Sequence, residues 1–393
     1  MKWKNVKYLG ENKYDLPGDW LKIEYFEAIN ILFRIENSLR VFVYVILKNE
    51  FKDKWKDLAV TSDDDEQSTL NAIAKKRLNQ DKNYAYLGFT LNSPLLHLTS
   101  GELIRIITSD CYWKFFKRFF LGTKEIIKNK LDEIGNVRNS VAHFRPIKKG
   151  DIDLIKQNAI HTLSEIEKAI RDFITCPDIV PSNTDENWYK EIVVLGTEEC
   201  KISFNQSKKE QWLKLILSFN SPILNKTKSL RGFILKTFKL KTNNLLNSYQ
   251  LLTNHAICVT EFIPLPFFEN PDSVYIEKEI RFTFSKKSFS EYYKIIKEEI
   301  EKLLFQISSE LTLIKEDNLA RGKIIEATTT GLNKIDNSNY YDLETDQFIT
   351  ELDEDSPVEF WGTLNHCSND FITETERYPW MPVDISEDKG LPF

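Results

Sequence analysis

The chain has 393 residues, of which 41% are hydrophobic and 28% are charged, and its formal net charge is −6. This length predicts two or three domains, and the composition excludes a collagenous or wholly disordered chain. The acidic total argues against a nucleic-acid partner only if the charge is spread evenly along the sequence.

Cysteine spacing and apolar runs bear on the class of protein. The five cysteines stand far apart without a Cys-x-x-Cys pair, which is typical of neither a disulfide framework nor a zinc site. The longest purely apolar run, 41–47, is too short to span a membrane. The basic N-terminus lacks the apolar core of a secretion signal. We therefore expect a cytoplasmic protein with no membrane association, no metal and no cofactor. His97 and His161 are predicted to be structural.

Residues 1–178 have the apolar spacing of three and four that is typical of helices. One predicted helix begins near Asp19, and another follows the acidic stretch 63–66. Thr99 and Glu102 have the spacing of a capping box. Further helices are predicted from about 124 to 143, before Pro146, and from a cap at Asp151 to the residues before Pro177. The pattern predicts an all-α bundle.

Residues 185–335 are predicted to form a smaller α+β domain, so the fold class of the whole chain is α+β. It shows no motif that carries chemistry, and a sensor or regulatory role is assigned to it by elimination. Strands are expected at 192–195, 201–204, 233–240, 257–262 and 281–284, and helices at 208–217 and 289–314.

Residues 336–393 form an acidic tail that contains several aromatic side chains. From Tyr341 onward there are 14 acidic and two basic residues, a net charge of −12, so residues 1–340 carry +6. Three interpretations stand: a solvated terminus, a tail docked through its aromatic residues, or a tail that docks on a basic face and inhibits it by mimicking a polyanion.

The stretch Arg138-Asn139-Ser140-Val141-Ala142-His143 carries the most specific chemistry. Asn139 and His143 are four residues apart, so we expect them on one helix face. The long side chain of Arg138 can reach the same end of that face. An imidazole exchanges a proton near neutral pH, and a guanidinium matches phosphate oxygens. These groups suffice to cleave RNA through its 2′-hydroxyl without a metal. One protomer supplies one such histidine, which favours a composite site in a homodimer.

A plainer interpretation of the same stretch stays open. His143 would be a surface histidine at the negative end of a helix, and Arg138 a solvated charge.

The motif resembles that of the HEPN superfamily (higher eukaryote and prokaryote nucleotide-binding domains). Arg138-Asn139-x-x-Ala142-His143 is similar to the pattern of its abortive-infection and toxin-type members, and the likeness covers about residues 20–175. The resemblance implies an all-α bundle, dimerisation through the motif face and metal-independent endoribonuclease activity. It also implies catalytic roles for Arg138, Asn139 and His143.

Basic residues around the motif are candidates for binding RNA phosphates. Residues 101–150 contain 11 basic and five acidic side chains. This local surplus of positive charge favours the binding of phosphate groups. In the segment 112–120, aromatic residues alternate with cations; the rings are predicted to be core or interface, with base stacking as the alternative. The candidate phosphate-binding residues are Lys114, Lys117, Arg118, Arg145, Lys148 and Lys149.

The site residues together with the resemblance predict a homodimeric endoribonuclease, and the resemblance implies a setting in prokaryotic antiviral defence or a toxin system. RNA would be its substrate, with a regulatory protein or a phage-derived trigger as a further partner. The first alternative is a non-catalytic scaffold that binds a nucleotide or a protein through the same face. The second is a metal-dependent nuclease in the second domain, against which the lack of paired carboxylates and a lysine counts.

Overall fold

The computed structural model describes residues 7–10, 13–15, 23–60, 68–82, 94–175, 179–221, 223–230, 232–262, 276–316, 321–334 and 341–344. The chain divides into two compact units, with the division between Arg171 and Asp172. The acidic stretch 63–66 and the tail beyond 344 lie outside the described residues. Among the described helices, none is both long and apolar enough to cross a membrane.

The first unit is mainly helical but includes two short antiparallel ladders. This corrects the prediction of an all-α domain, because β1 pairs with β2 and β3 with β4. The strand signals were missed since each strand has only two to four residues. The elements are β1 (Lys7–Gly10), β2 (Lys13–Asp15), α1 (Ile23–Phe51), β3 (Ala59–Val60), β4 (Ser68–Thr69), α2 (Leu70–Lys82), α3 (Ser100–Thr108), α4 (Trp113–Phe116), α5 (Lys124–Ala142) and α6 (Lys149–Thr175).

Helix α1 is the central element of this unit. Every residue from Val41 to Lys48 is buried, which means that this part of the helix is surrounded on all sides. Helices α3 and α5 both pack against α1 and against each other. The C-terminal part of α5 is thereby held beside the N-terminal part of α1.

The start of α3 confirms the predicted capping box. Thr99 accepts the Glu102 backbone N–H, and Glu102 accepts the Thr99 backbone N–H. Both terminal nitrogens of Arg77 donate hydrogen bonds to the two oxygens of the Glu102 carboxylate, at 2.8 and 2.7 Å. Burial alone would raise the pKa of Glu102, but the hydrogen bonds from Arg77 and Thr99 outweigh it and hold that pKa below its ordinary value.

The starts of α5 and α6 are also set by side chains. Thr123 precedes α5, and its hydroxyl accepts the Ile126 N–H. Helix α6 begins at Lys149 rather than at the predicted Asp151. The Asp151 carboxylate instead accepts the Lys148 N–H at 2.8 Å from inside the first turn.

The second unit combines two antiparallel sheets with helices, which confirms the α+β class. One sheet has the order β5-β6-β10-β9, and the other β12-β11-β8-β7. The elements are α7 (Asn187–Val193), β5 (Cys200–Gln206), β6 (Trp212–Ser221), β7 (Asn225–Lys228), β8 (Gly232–Leu240), α8 (Thr242–Ser248), α9 (Gln250–His255), β9 (Cys258–Phe262), β10 (Ile276–Ser285), α10 (Lys286–Glu316), β11 (Ile325–Lys334) and β12 (Tyr341–Glu344).

The core of the second unit lies between α10 and the first sheet. In register, Phe282 of β10 pairs with Leu215 of β6, and both side chains are fully buried. Each such side chain contributes roughly 1.5–3 kcal/mol by its removal from water. The α10 stripe in this core is Phe289, Ile296, Ile300, Leu303, Ile307, Leu311 and Ile314.

Two predictions in this unit are wrong. Residues 208–217 were expected to be helical, but β6 begins at Trp212. Residues 192–195 were expected to be a strand, but Ile192 and Val193 end helix α7. The start of the predicted tail, Tyr341–Glu344, is strand β12 and pairs with β11.

Glu310 connects the C-terminal part of α10 to the start of β11 by hydrogen bonds. One carboxylate oxygen accepts the N–H groups of Ile324 and Ile325 at 3.0 and 2.8 Å. The other accepts the Lys323 N–H at 3.0 Å. A side chain at Gly322 would displace this carboxylate from its present position.

Candidate active site

The predicted motif occupies the last turn of α5 and the residues after it. The buried side of the helix is formed by Ile127, Leu131, Ile134, Val137 and Val141, at the spacing of an amphipathic helix. Arg138 directly follows Val137 and is half-buried, whereas Asn139 and His143 are exposed. Within one protomer, therefore, the arginine turns towards the bundle, and the amide and the imidazole turn outwards.

Arg138 forms an ion pair with Glu36 of α1. Its Nε donates to Glu36 Oε2 at 3.2 Å, and 34% of the Arg138 side chain is exposed. Its two terminal nitrogens make no hydrogen bond with any residue that the structure describes. The guanidinium is thus held by one edge, and its other donors are directed at nothing in the described chain.

Glu36 is shared by two arginines. Besides Arg138, it accepts hydrogen bonds from Arg40 and from the Ser100 hydroxyl. Arg40 is almost buried and also donates to the Leu95 and Leu98 carbonyls, at 3.1 and 3.0 Å. The Glu36 carboxylate therefore holds two guanidiniums, of which that of Arg138 is the half-exposed one. Glu36, Ser100 and Arg138 line a small pocket together with Leu32, Ile35 and Ile104.

His143 caps the C-terminal end of α5 by its backbone. Its N–H donates to the Asn139 carbonyl at 3.1 Å. The two side chains lie one turn apart on the exposed side of the helix. The side chains of Arg138, Asn139 and His143 are all described, and no hydrogen bond joins them to one another.

The residue after His143 closes the helix in an uncommon way. Phe144 has a φ of +54° and donates its N–H to Val141, while Arg145 donates to Ser140 at 2.8 Å. This pair of bonds is a Schellman motif, in which glycine is the usual residue at the Phe144 position. The Tyr25 hydroxyl also donates to the Val141 carbonyl, so α1 secures this helix end.

Three of the predicted phosphate-binding residues are neighbours of the motif. Arg145, Lys148 and Lys149 are exposed in the connection between α5 and α6. Residues 143–149 contain no acidic side chain.

The other three, Lys114, Lys117 and Arg118, precede the opposite end of α5. Since α5 has 19 residues at 1.5 Å per residue, roughly 27 Å separate its start from the motif, and these three cations lie before that start. They are exposed, but the structure does not bring them to the motif.

The aromatic residues among these cations are core, as the first interpretation predicted. Phe116 is fully buried, and its ring contacts that of Phe42 at 5.5 Å. The rings of Phe119 and Phe120 contact Phe42 as well. Lys114 and Arg118 cover the outer rings from the solvent side.

Glu36 and Arg40 were not identified from the sequence. A signal was present, since a glutamate four residues before an arginine on one helix favours an ion pair. Of the two histidines predicted to be structural, His97 is buried and His161 is exposed. Within the described residues, no group of three His, Cys, Asp or Glu side chains comes close enough to hold a metal ion.

Comparisons with protein-family models, with curated proteins and with solved structures found no match. The assignment of a function therefore rests on the residues and their geometry.

Proposed function

We propose that this protein is a metal-independent endoribonuclease with a HEPN-type site at the C-terminal end of α5. The observation that carries the proposal is the state of Arg138. Glu36 holds its Nε edge, and the terminal nitrogens make no hydrogen bond within the described chain. A phosphate fits two parallel guanidinium donors, and it would pair with the positive charge of Arg138.

His143 would move the protons. In one direction an imidazole removes the proton of the ribose 2′-hydroxyl, whose oxygen then attacks the neighbouring phosphorus. The bond from phosphorus to the 5′-oxygen breaks, and that oxygen takes a proton from an imidazolium. The products are a 2′,3′-cyclic phosphate and a 5′-hydroxyl. Asn139, exposed one turn before His143, would orient the imidazole or the phosphate.

Two protomers would complete the site. One copy supplies a single His143, and its Arg138 turns towards Glu36 rather than outwards. A homodimer that joins two α5 ends would bring together two histidines and two arginines around one phosphate. The likeness of the motif to abortive-infection and toxin proteins supports a role in prokaryotic antiviral defence. Control by a regulatory protein or a phage-derived trigger belongs to the same proposal.

A direct test compares His143→Ala with wild type on single-stranded RNA in EDTA. His161→Ala is the matched control, because His161 is also exposed on a helix of the same unit. We expect wild type and His161→Ala to cleave alike, and His143→Ala to be about 10²- to 10⁴-fold slower. Equal cleavage by His143→Ala, or no cleavage by wild type, would reject the nuclease.

The pairing of Arg138 with Glu36 also suits the alternative of a non-catalytic scaffold. An arginine in an ion pair can bind a nucleotide or a protein partner without any reaction. In that case wild type and His143→Ala bind RNA equally, and neither cleaves it.

A further inference from the structure

Phe144 combines an unfavourable backbone conformation with an exposed ring. Three described non-glycine residues have a positive φ, and the other two, Lys52 and Glu210, have long polar side chains. A side chain at +54° is crowded by its own backbone, and a bulky residue there is a genuine outlier. Glycine would satisfy the same two hydrogen bonds of the helix end without this strain.

Burial of the ring does not compensate for the strain. The Phe144 side chain is 85% exposed. Its aromatic neighbour is Tyr25, whose ring is nearly parallel at 10° but 6.3 Å away between centroids. That separation is near the outer limit for aromatic pairs, so the contact stabilises the fold little. Residues held in strained conformations without such compensation are concentrated at functional sites.

The surroundings of Phe144 indicate what the ring contacts. It lies between the proposed catalytic His143 and Arg145, and Lys148 and Lys149 follow in the same exposed connection. An exposed aromatic ring flanked by cations is the arrangement by which proteins hold single-stranded nucleic acid: the base stacks on the ring and the cations meet the phosphates.

We propose that Phe144 is a base-stacking residue, and that the substrate is RNA whose nucleotide beside the scissile phosphate is unpaired. This inference rests on the proposed ribonuclease function and adds the substrate class. Adjacent Cα atoms are about 3.8 Å apart, so a base on Phe144 leaves its neighbouring phosphate within reach of His143. Stacking accepts any base, and thus the site selects single-stranded segments rather than a sequence.

The test measures RNA binding and cleavage by Phe144→Leu and Phe144→Gly in the full chain. Leucine keeps the bulk without the ring, and glycine also removes the strain. Binding is followed in the His143→Ala background by the fluorescence of 2-aminopurine in a single-stranded oligonucleotide, which stacking quenches. Phe305→Leu is the control, since its ring is 78% exposed on α10.

We expect both Phe144 variants to bind about 5- to 100-fold more weakly, without the quenching, and to cleave single-stranded RNA correspondingly less. Phe144→Gly should unfold at the same temperature as wild type or higher, and Phe305→Leu should bind normally. Wild-type affinity and quenching in Phe144→Leu would overturn the stacking role while leaving the nuclease intact. Weaker binding that follows loss of the dimer, measured by light scattering, would also overturn it. If wild type cleaves no RNA but its quenching still requires Phe144, the nuclease fails and the stacking site stands.

Discussion

The two ends of α5 carry the same kinds of residue in opposite arrangements. Before its N-terminal end, aromatic rings such as Phe116 are buried against Phe42, and only the cations face the solvent. At its C-terminal end, the Phe144 ring is exposed, and Arg138 is the group that turns inwards, to Glu36. Composition is therefore a poor guide to a nucleic-acid site. What distinguishes the two ends is the aromatic ring, which is buried before the start of α5 and exposed after its end.

The largest expected effect belongs to the buried end. Phe116→Ala should destabilise the first unit by about 3–5 kcal/mol, because it removes a fully buried ring and leaves a cavity. Denaturant unfolding measures this change, with Phe305→Ala as the exposed control. A decrease of less than about 1 kcal/mol in the free energy of unfolding would mean that this aromatic cluster is not part of the hydrophobic core.

The two basic clusters should differ in how RNA binding responds to salt. Replacing Arg145, Lys148 and Lys149 with glutamine should reduce the slope of log affinity against log salt by about 2, since each phosphate contact with a single strand contributes about 0.7. At 0.1 M salt the affinity falls roughly 100-fold. The same replacement of Lys114, Lys117 and Arg118 should change the slope little, because these residues lie at the other end of α5. Equal slopes for the two triple variants would mean that the two basic clusters contribute alike to RNA binding.

The smallest effect concerns the inward turn of Arg138. Glu36→Gln keeps an acceptor for Arg138 Nε but removes the charge that orients the guanidinium. We expect kcat to fall roughly 10-fold through misplacement of Arg138, and KM for RNA to stay constant or fall, since the site becomes more positive. Glu27→Gln is the matched control, because Glu27 lies on the same helix in an exposed pair with Lys156. A raised KM with unchanged kcat would show that Glu36 only shapes the surface.

Helix predictions succeeded where the signal lies within a few residues. The capping box of Thr99 and Glu102, the end of α5 before Pro146 and the apolar stripe of α10 are all local. The failures come from tertiary burial. In β6, residues 212–217 are all buried, so the alternation that identifies a half-buried strand is missing. In α7, Trp188 and Ile192 face the core four residues apart, and the β-branched run at its end gave the opposite indication.

The candidate site was predictable as a motif but not as an arrangement. Spacing brings Asn139 and His143 to one side of a helix. It cannot indicate that Arg138 turns inwards, because that depends on Glu36, 102 positions earlier in the chain. The conformation of Phe144 was equally hidden, since a phenylalanine at this position of a helix end is unusual. Sequence distance conceals the first feature, and a rare conformation conceals the second.

The hydrogen bonds between the Glu310 carboxylate and the backbone of residues 323–325 also bear on the order in which the second unit can fold. They join residues no more than 15 positions apart, and closing a short loop sacrifices little chain entropy. The β8–β11 ladder, by contrast, must bring Leu240 to Ile325. Once α10 has formed, these hydrogen bonds fix the position of the first residues of β11. The pairing of β11 with β8 then requires only that the two strands adopt the correct register, because one end of β11 is already held against α10.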